Sequence, residues 1–331
     1  MRCLVLCAVF AMACSTPVVG EDAGSGGGAA SGGGAATGGG GATGGGGAGT
    51  GGGSATGGGG ATGGGAATGG GSATGGGGTA NKSAKRGLAY DLASAGDLDA
   101  MSSGISWWYD WSATPHAPLD HGVEFVPMLW NFNFDAPNVL AFLRAHPDVH
   151  YVMVLNEPNL TDQANQTPQQ AAMQWPMYEA FAADAGVQIV GPQITWGTMP
   201  NYSDPVVWMD AFIAAYKANN GGREPRIDYL GFHWYDYGLA GQLDRLTKYG
   251  KPFWVTEMAN WHPQNDGAQI DTLAKQKTQM TNMVQVCESR SDVFRYAWFT
   301  GRWNPDPHFT SVLAAPGART ELGDLYLTLP H

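Results

Sequence analysis

The sequence predicts an α/β fold, a single (β/α)8 TIM barrel preceded by a disordered Gly-rich linker. Three observations predict it. Eight short segments between Arg86 and Thr300 are apolar and rich in aromatic and β-branched residues, as buried parallel strands are. Helix-like stretches stand between several of them, and such alternation packs as a parallel sheet that eight units can close. The stretch that carries them, 83–331, has the length of about 250 residues usual for such a barrel.

In chain order, residues 1–13 place one positive charge, Arg2, before a short apolar run that ends in small residues. That run is too short to span a bilayer and has the form of a signal peptide. Cys14 follows Ala11-Met12-Ala13, which resembles the lipobox of bacterial lipoproteins. The resemblance implies lipidation of Cys14 and a place in the cell envelope. Ordinary secretion with cleavage nearby is the competing reading, because leucine is commoner where this chain has Ala11. Residues 14–82 are dominated by repeated Gly-Gly-Gly-Ala-Thr units. They hold almost nothing that could offset the entropy of ordering a backbone, so a flexible tether is expected. About 60 such residues reach roughly 40–45 Å.

The strands expected next are Arg86–Asp91, Ile105–Trp111, Glu124–Asn131, His150–Asn156, Val187–Ile194, Ile227–Tyr235, Phe253–Asn260 and Arg295–Thr300. Helices are expected over Pro137–Ala145, Pro168–Ala185, Pro205–Asn219 and Ile270–Ser289. The three leading prolines suit a helix's first turn. Only Cys287 lies in this part of the chain, so no disulfide framework holds it, and the thiol is expected buried in a helix. A net charge of −11 argues against nucleic-acid partners, which need a basic face. No cysteine or histidine spacing suggests a metal, and no phosphate-binding loop or nucleophile elbow suggests a cofactor or another hydrolase chemistry.

In such a barrel the functional residues lie at the C-terminal ends of the strands. The fourth strand ends in Asn156-Glu157-Pro158 and the seventh in Thr256-Glu257-Met258. Two carboxyls facing each other across a barrel mouth suit glycoside hydrolysis, in which one protonates the leaving oxygen and the other, ionised, attacks the anomeric carbon. A solvated loop charge explains one such glutamate; here it would have to explain two. Asn156 is placed to hydrogen-bond a sugar hydroxyl. His233 and Tyr235 alternate on the sixth strand and share a face, with Tyr235 placed to hold Glu257 ionised. Trp130 and Asn131 end the third strand, and Trp107, Trp196, Trp261 and Trp298 lie at or just past other strand ends. Each of these tryptophans is a candidate sugar platform, with packing as the alternative. Trp108 and Trp254 are expected to face the core.

The runs Ile105–Tyr109, Phe125–Trp130, Leu155–Pro158, Phe232–Tyr235, Lys251–Glu257 and Tyr296–Phe299 resemble glycoside hydrolase family 128 at six of the eight strands. The resemblance implies a retaining mechanism on β-1,3-glucan, with Glu157 as acid/base and Glu257 as nucleophile; endo cleavage by a monomer is the leading expectation. Two departures, Asn159 for an acidic residue and Met258 for phenylalanine, touch the neighbours of these glutamates. A hydrolase of β-1,4 or mixed-linkage glucan is an alternative. So is a cell-surface glucan-binding protein without activity, though such a protein has no need of two facing carboxyls.

Overall fold

The computed structural model describes residues 82–93, 96–116 and 121–331. The expected signal peptide, the lipidated Cys14 and the linker as far as Asn81 lie outside the described residues. The elements run β1 (Arg86–Ala89), α1 (Asp97–Ser102), β2 (Trp107–Tyr109), β3 (Glu124–Phe125), β4 (Met128–Leu129), α2 (Ala136–Ala145), β5 (Tyr151–Val154), α3 (Pro168–Ala185) and β6 (Gln188–Ile194). They continue α4 (Pro205–Asn219), β7 (Tyr229–Trp234), α5 (Leu239–Leu246), a 3-10 turn at Thr247–Tyr249, β8 (Phe253–Met258), α6 (Leu273–Ser289), β9 (Val293–Trp298) and α7 (Glu321–Thr328).

Every expected strand is present. The third is split, because Pro127 has no N–H to give a neighbouring strand. Its carbonyl still accepts from Met153 N at 2.9 Å, so the run stays beside β5. All pairings are parallel, in the order β3-β2-β1-β9-β8-β7-β6-β5-β4. The two ends of that order are successive pieces of one short run, so the sheet curls back towards its own first edge.

The helices start where side chains can satisfy their first N–H groups. Thr167 forms a reciprocal capping box with Gln170 ahead of α3, and Asp135, Asp204 and Thr272 cap α2, α4 and α6. The cap at Thr272 sets the start of α6 at Leu273, later than the expected Ile270. Helices α1, α5 and α7 are only 6, 8 and 8 residues long, too short to leave a clear periodic signal.

Inside the curl, the end away from the C-terminal strand ends is filled by aromatic rings around one guanidinium. Arg295 lies 4.8 Å from the Trp254 ring centre and 4.9 Å from that of Tyr151, and it pairs with Glu124 at 2.6 Å. Trp107 belongs to this plug. It is fully buried, packs edge-on against Trp254 at 5.0 Å, and donates its indole N–H to Lys85 O at 2.9 Å. It therefore cannot be a sugar platform: its side chain points down the interior, away from the strand ends. Trp298 fails as a platform for a different reason. It is fully buried on the outer side, donates to Thr310 O at 2.8 Å and packs beside Tyr326 of α7. Trp108 packs against Phe125, and Cys287 is buried in α6, both as expected.

Glycine decides one detail of the plug. A Cβ on Gly87 would stand 2.3 Å from the Trp107 ring, which is hemmed in by Trp254. Gly87→Ala is expected to lower unfolding stability by about 1–3 kcal/mol through overpacking. Urea unfolding checks this, and an unchanged midpoint would show that the ring can move aside.

Candidate active site

Glu157 follows β5 and Glu257 lies in β8. Leu155 and Glu157 both take positive φ, 58° and 42°, a conformation side chains rarely adopt. The turn is held because Glu157 N donates to Gln193 O at 2.9 Å and Asn156 N to Trp130 O at 2.8 Å. These bonds aim Glu157 inwards. Near the other glutamate, the register of β8 shifts against both β7 and β9.

The two carboxyls are buried together, at 8% and 5% exposure. One oxygen of each lies within 4.8 Å of the other and of a ring nitrogen of His233. Glu257 is gripped on both oxygens. Its Oε1 accepts from the Tyr109 hydroxyl at 2.9 Å and from Trp111 Nε1 at 2.8 Å, and its Oε2 accepts from the Tyr235 hydroxyl. Burial, then the charge of Glu257, pushes both phenols well above the ordinary tyrosine value, so they remain donors. His233 Nδ1 stands 2.8 Å from Glu157 Oε1 and 3.5 Å from Glu257 Oε2. Burial raises the pKa of Glu157; the His233 hydrogen bond opposes this and the Glu257 charge adds to it. Burial works against a charged His233, but the two carboxylates outweigh it and raise its pKa.

Glu157, Glu257, His233 and Tyr235 thus converge. Asn156 joins them at 3% exposure, its Nδ2 donating to Gln163 Oε1 at 3.2 Å while its buried Oδ1 has no hydrogen-bond partner among the described residues. Trp261 stacks on Tyr235 with ring centres 3.9 Å apart, and behind it stand Phe299 and Trp303 at 5.5 and 5.6 Å. Trp130 is half-buried after β4, and Asn131 accepts from Asn133 N in a turn there. Trp196 is 44% exposed, just past β6.

Sequence reasoning missed Tyr109 and Trp111, the two further donors to Glu257. Both stand at the end of an expected strand, which was a usable signal; that they reach the seventh expected strand follows only from the curl of the sheet. The two departures noted in the sequence are buried rather than lining the mouth. Asn159 donates to Thr195 O at 2.6 Å, and Met258 packs on Cys287 at 3.8 Å. Potential metal ligands also converge where spacing did not suggest it, at Glu157-His233-Glu257 and at Asp91-Asp110-His116. In the second group His116 Nδ1 lies 3.0 Å from Asp110 and 3.3 Å from Asp91, bracing the segment that carries Trp111.

The sequence profile of the glycosyl hydrolase catalytic core family matches residues 87–326. An endo-β-1,3-glucanase of glycoside hydrolase family 128, subgroup II, from Pseudomonas viridiflava is 59% identical, with 76% of this chain and 100% of that chain covered and a TM-score of 0.74. The chain belongs to glycoside hydrolase family 128. A subgroup I endo-β-1,3-glucanase from Amycolatopsis mediterranei, solved with laminaritriose, is 25% identical over 74% of this chain and 98% of that one, with a TM-score of 0.58. The alkali-sensitive linkage protein 1 of Schizosaccharomyces pombe is 25% identical over 264 residues, 74% of this chain. The chain spans 45% of the length of that curated relative.

For this family 128 hydrolase the grip on Glu257 yields a direct expectation. Tyr109→Phe and Trp111→Phe are each expected to lower kcat about ten- to a hundredfold, as loss of one preorganised donor does. Melting temperature is expected to stay within a few degrees. A rate within twofold of the parent in both variants would show that the grip is dispensable.

Proposed function

We propose that this chain is an endo-acting, retaining β-1,3-glucanase in which Glu157 is the acid/base and Glu257 the nucleophile. The observation that carries the reading is the buried carboxyl pair at the ends of β5 and β8, with oxygens within 4.8 Å. Retaining enzymes hold their carboxyls about 5–5.5 Å apart, whereas inverting enzymes leave about 6.5–9.5 Å for a water. The family 128 relatives from Pseudomonas viridiflava and Amycolatopsis mediterranei are described as endo-β-1,3-glucanases, which supports the linkage and the cleavage mode. The curled sheet is read as a closed eight-stranded barrel, with β3 and β4 as halves of its third strand.

The two glutamates have different surroundings, and the difference supports this division of roles. Glu257 accepts three hydrogen bonds from groups that stay protonated, and these aim its oxygens. It attacks the anomeric carbon and forms the glycosyl-enzyme bond as the glycosidic C–O bond breaks. Glu157, buried beside a negative charge, holds its proton and gives it to the departing oxygen. With its ring hydrogen on Nδ1, His233 occupies Glu157 Oε1 and leaves the other oxygen to carry that proton. Once Glu257 is esterified its charge is gone, and Glu157 becomes the stronger acid. It then takes a proton from the water that splits the ester. Asn156, next to Glu157, is assigned to a sugar hydroxyl, and Trp130, Asn131 and Trp261 to the walls of the glucan cleft. The chain is further read as a secreted bacterial lipoprotein, held at the cell envelope through Cys14 and the Gly-rich tether.

Incubation with laminarin tests the linkage. Early products of many lengths are expected, and release of glucose alone would exclude endo cleavage. Glu157→Gln and Glu257→Gln are each expected to fold and to lose nearly all turnover on laminarin. Proton NMR of the first-formed anomer is expected to show retention; an inverted product would exclude Glu257 as nucleophile. The rate is also expected to fall as pH rises through the pKa of Glu157, because its proton is needed. Since that pKa lies above the ordinary 4.5, the upper limb of a pH–rate profile is expected above the glutamate range. An upper limb at or below 4.5 would contradict the role.

A further inference from the structure

The glucan must leave the carboxyl pair in two directions, and the mouth offers unequal surfaces on its two sides. Beside Glu257 stands a packed aromatic wall of Trp261, Phe299 and Trp303. On the loop after β6, which is bonded to the segment of Glu157, stands one exposed indole, Trp196, the most exposed of the Phe, Tyr and Trp side chains among the described residues at 44%. The loop that carries it is tied to the Glu157 segment by direct bonds. Glu157 N donates to Gln193 O, three residues before Trp196, at 2.9 Å. Asn159, two residues after Glu157, donates to Thr195 O at 2.6 Å, and its carbonyl accepts from Thr198 N and Met199 N at 3.1 and 2.9 Å. A Cβ on Gly197 would stand 2.0 Å from that carbonyl, so only glycine lets the two loops lie this close.

An exposed indole normally folds down onto the surface to hide its apolar area. Here it is held up. Its N–H donates to Gln242 Oε1 at 3.0 Å, and the Arg245 guanidinium lies 5.3 Å from the ring centre. Arg245 is itself fixed, donating to the same Gln242 oxygen at 3.0 Å and pairing with Asp204 at 2.6 Å. Arg245 thus occupies one side of the ring, and the exposed area is a rigid apolar plate prepared before any ligand arrives.

We propose that Trp196 is a sugar platform on the leaving-group side of the cleavage point, stacking on the apolar face of a glucosyl unit downstream of the broken bond. This deepens the glucanase reading and rests on it. The direction follows from the chemistry. The nucleophile attacks opposite the departing oxygen, and the acid protonates that oxygen, so the leaving sugars lie on the side of Glu157. Trp196 is on that side. It contributes to binding the leaving chain and has no part in the hydrolysis of the glycosyl-enzyme by water.

The test compares two substrates of the full-length protein. Laminarihexaose can extend over the platform, whereas an aryl β-laminaribioside replaces the leaving sugars by one phenol. Trp196→Ala is expected to lower kcat/KM on laminarihexaose about tenfold, close to 1.4 kcal/mol of transition-state binding. The aryl substrate is expected to be cleaved within about twofold of the parent rate, with melting temperature unchanged. Transfer of the glycosyl group to added laminaribiose is expected to fall in parallel, and Trp196→Phe is expected to restore most of both losses. An unchanged rate on laminarihexaose would overturn the platform. An equal loss on both substrates would place any sugar contact on the other side, or make the indole merely structural. A parent protein that cleaves neither substrate would sink the glucanase reading, and this proposal with it.

Discussion

Two carboxyl groups share one buried site in this protein, and their surroundings are unequal. Each loses most of its water, and each is close enough to feel the other's charge. Glu257 recovers the lost solvation from Tyr109, Trp111 and Tyr235, which supply both of its oxygens with protonated donors. Among the described residues the Glu157 carboxyl has a hydrogen bond from His233 alone, and burial leaves it harder to ionise. The difference between the two carboxyls is therefore made by the count of donors rather than by residue type, since both residues are glutamate.

That asymmetry is held in place by the opposite end of the molecule. The donors to Glu257 come from β2, from the segment after it and from the end of β7, so they keep their geometry only if the sheet keeps its curl. The curl is filled by Trp107, Trp254, Tyr151, Tyr229 and Phe294 around Arg295. A guanidinium among rings is tolerated because Glu124 pairs with it and the ring faces attract its charge. The positive φ values at Leu155, Glu157 and Trp111 show where the cost of this arrangement falls, on segments that carry or orient the carboxyls.

Outside the pair, polar and aromatic groups divide the work. Asparagine side chains and backbone carbonyls knit the loops after β5 and β6, and Asp91, Asp110 and His116 brace the segment after β2. Stacked rings make the wall beside Glu257.

The sequence by itself determined where the strand segments fall, the four long helices, three of them with proline-led starts, and the positions of Glu157, Glu257, His233 and Tyr235. These were legible because they depend on local pattern: apolar runs, caps, and polar residues at strand ends. What only the tertiary structure decided is which way the aromatic residues point and what reaches across the curled sheet. Trp107 and Trp298 share the composition and spacing of Trp261, yet one fills the interior and the other packs under α7, because pairing register and packing, not residue type, choose the face. Tyr109 and Trp111 join Glu257 from nearly 150 positions away, at separations of 148 and 146 residues. No local pattern reports a contact of that range, because closing the sheet brings the donors and the carboxylate together.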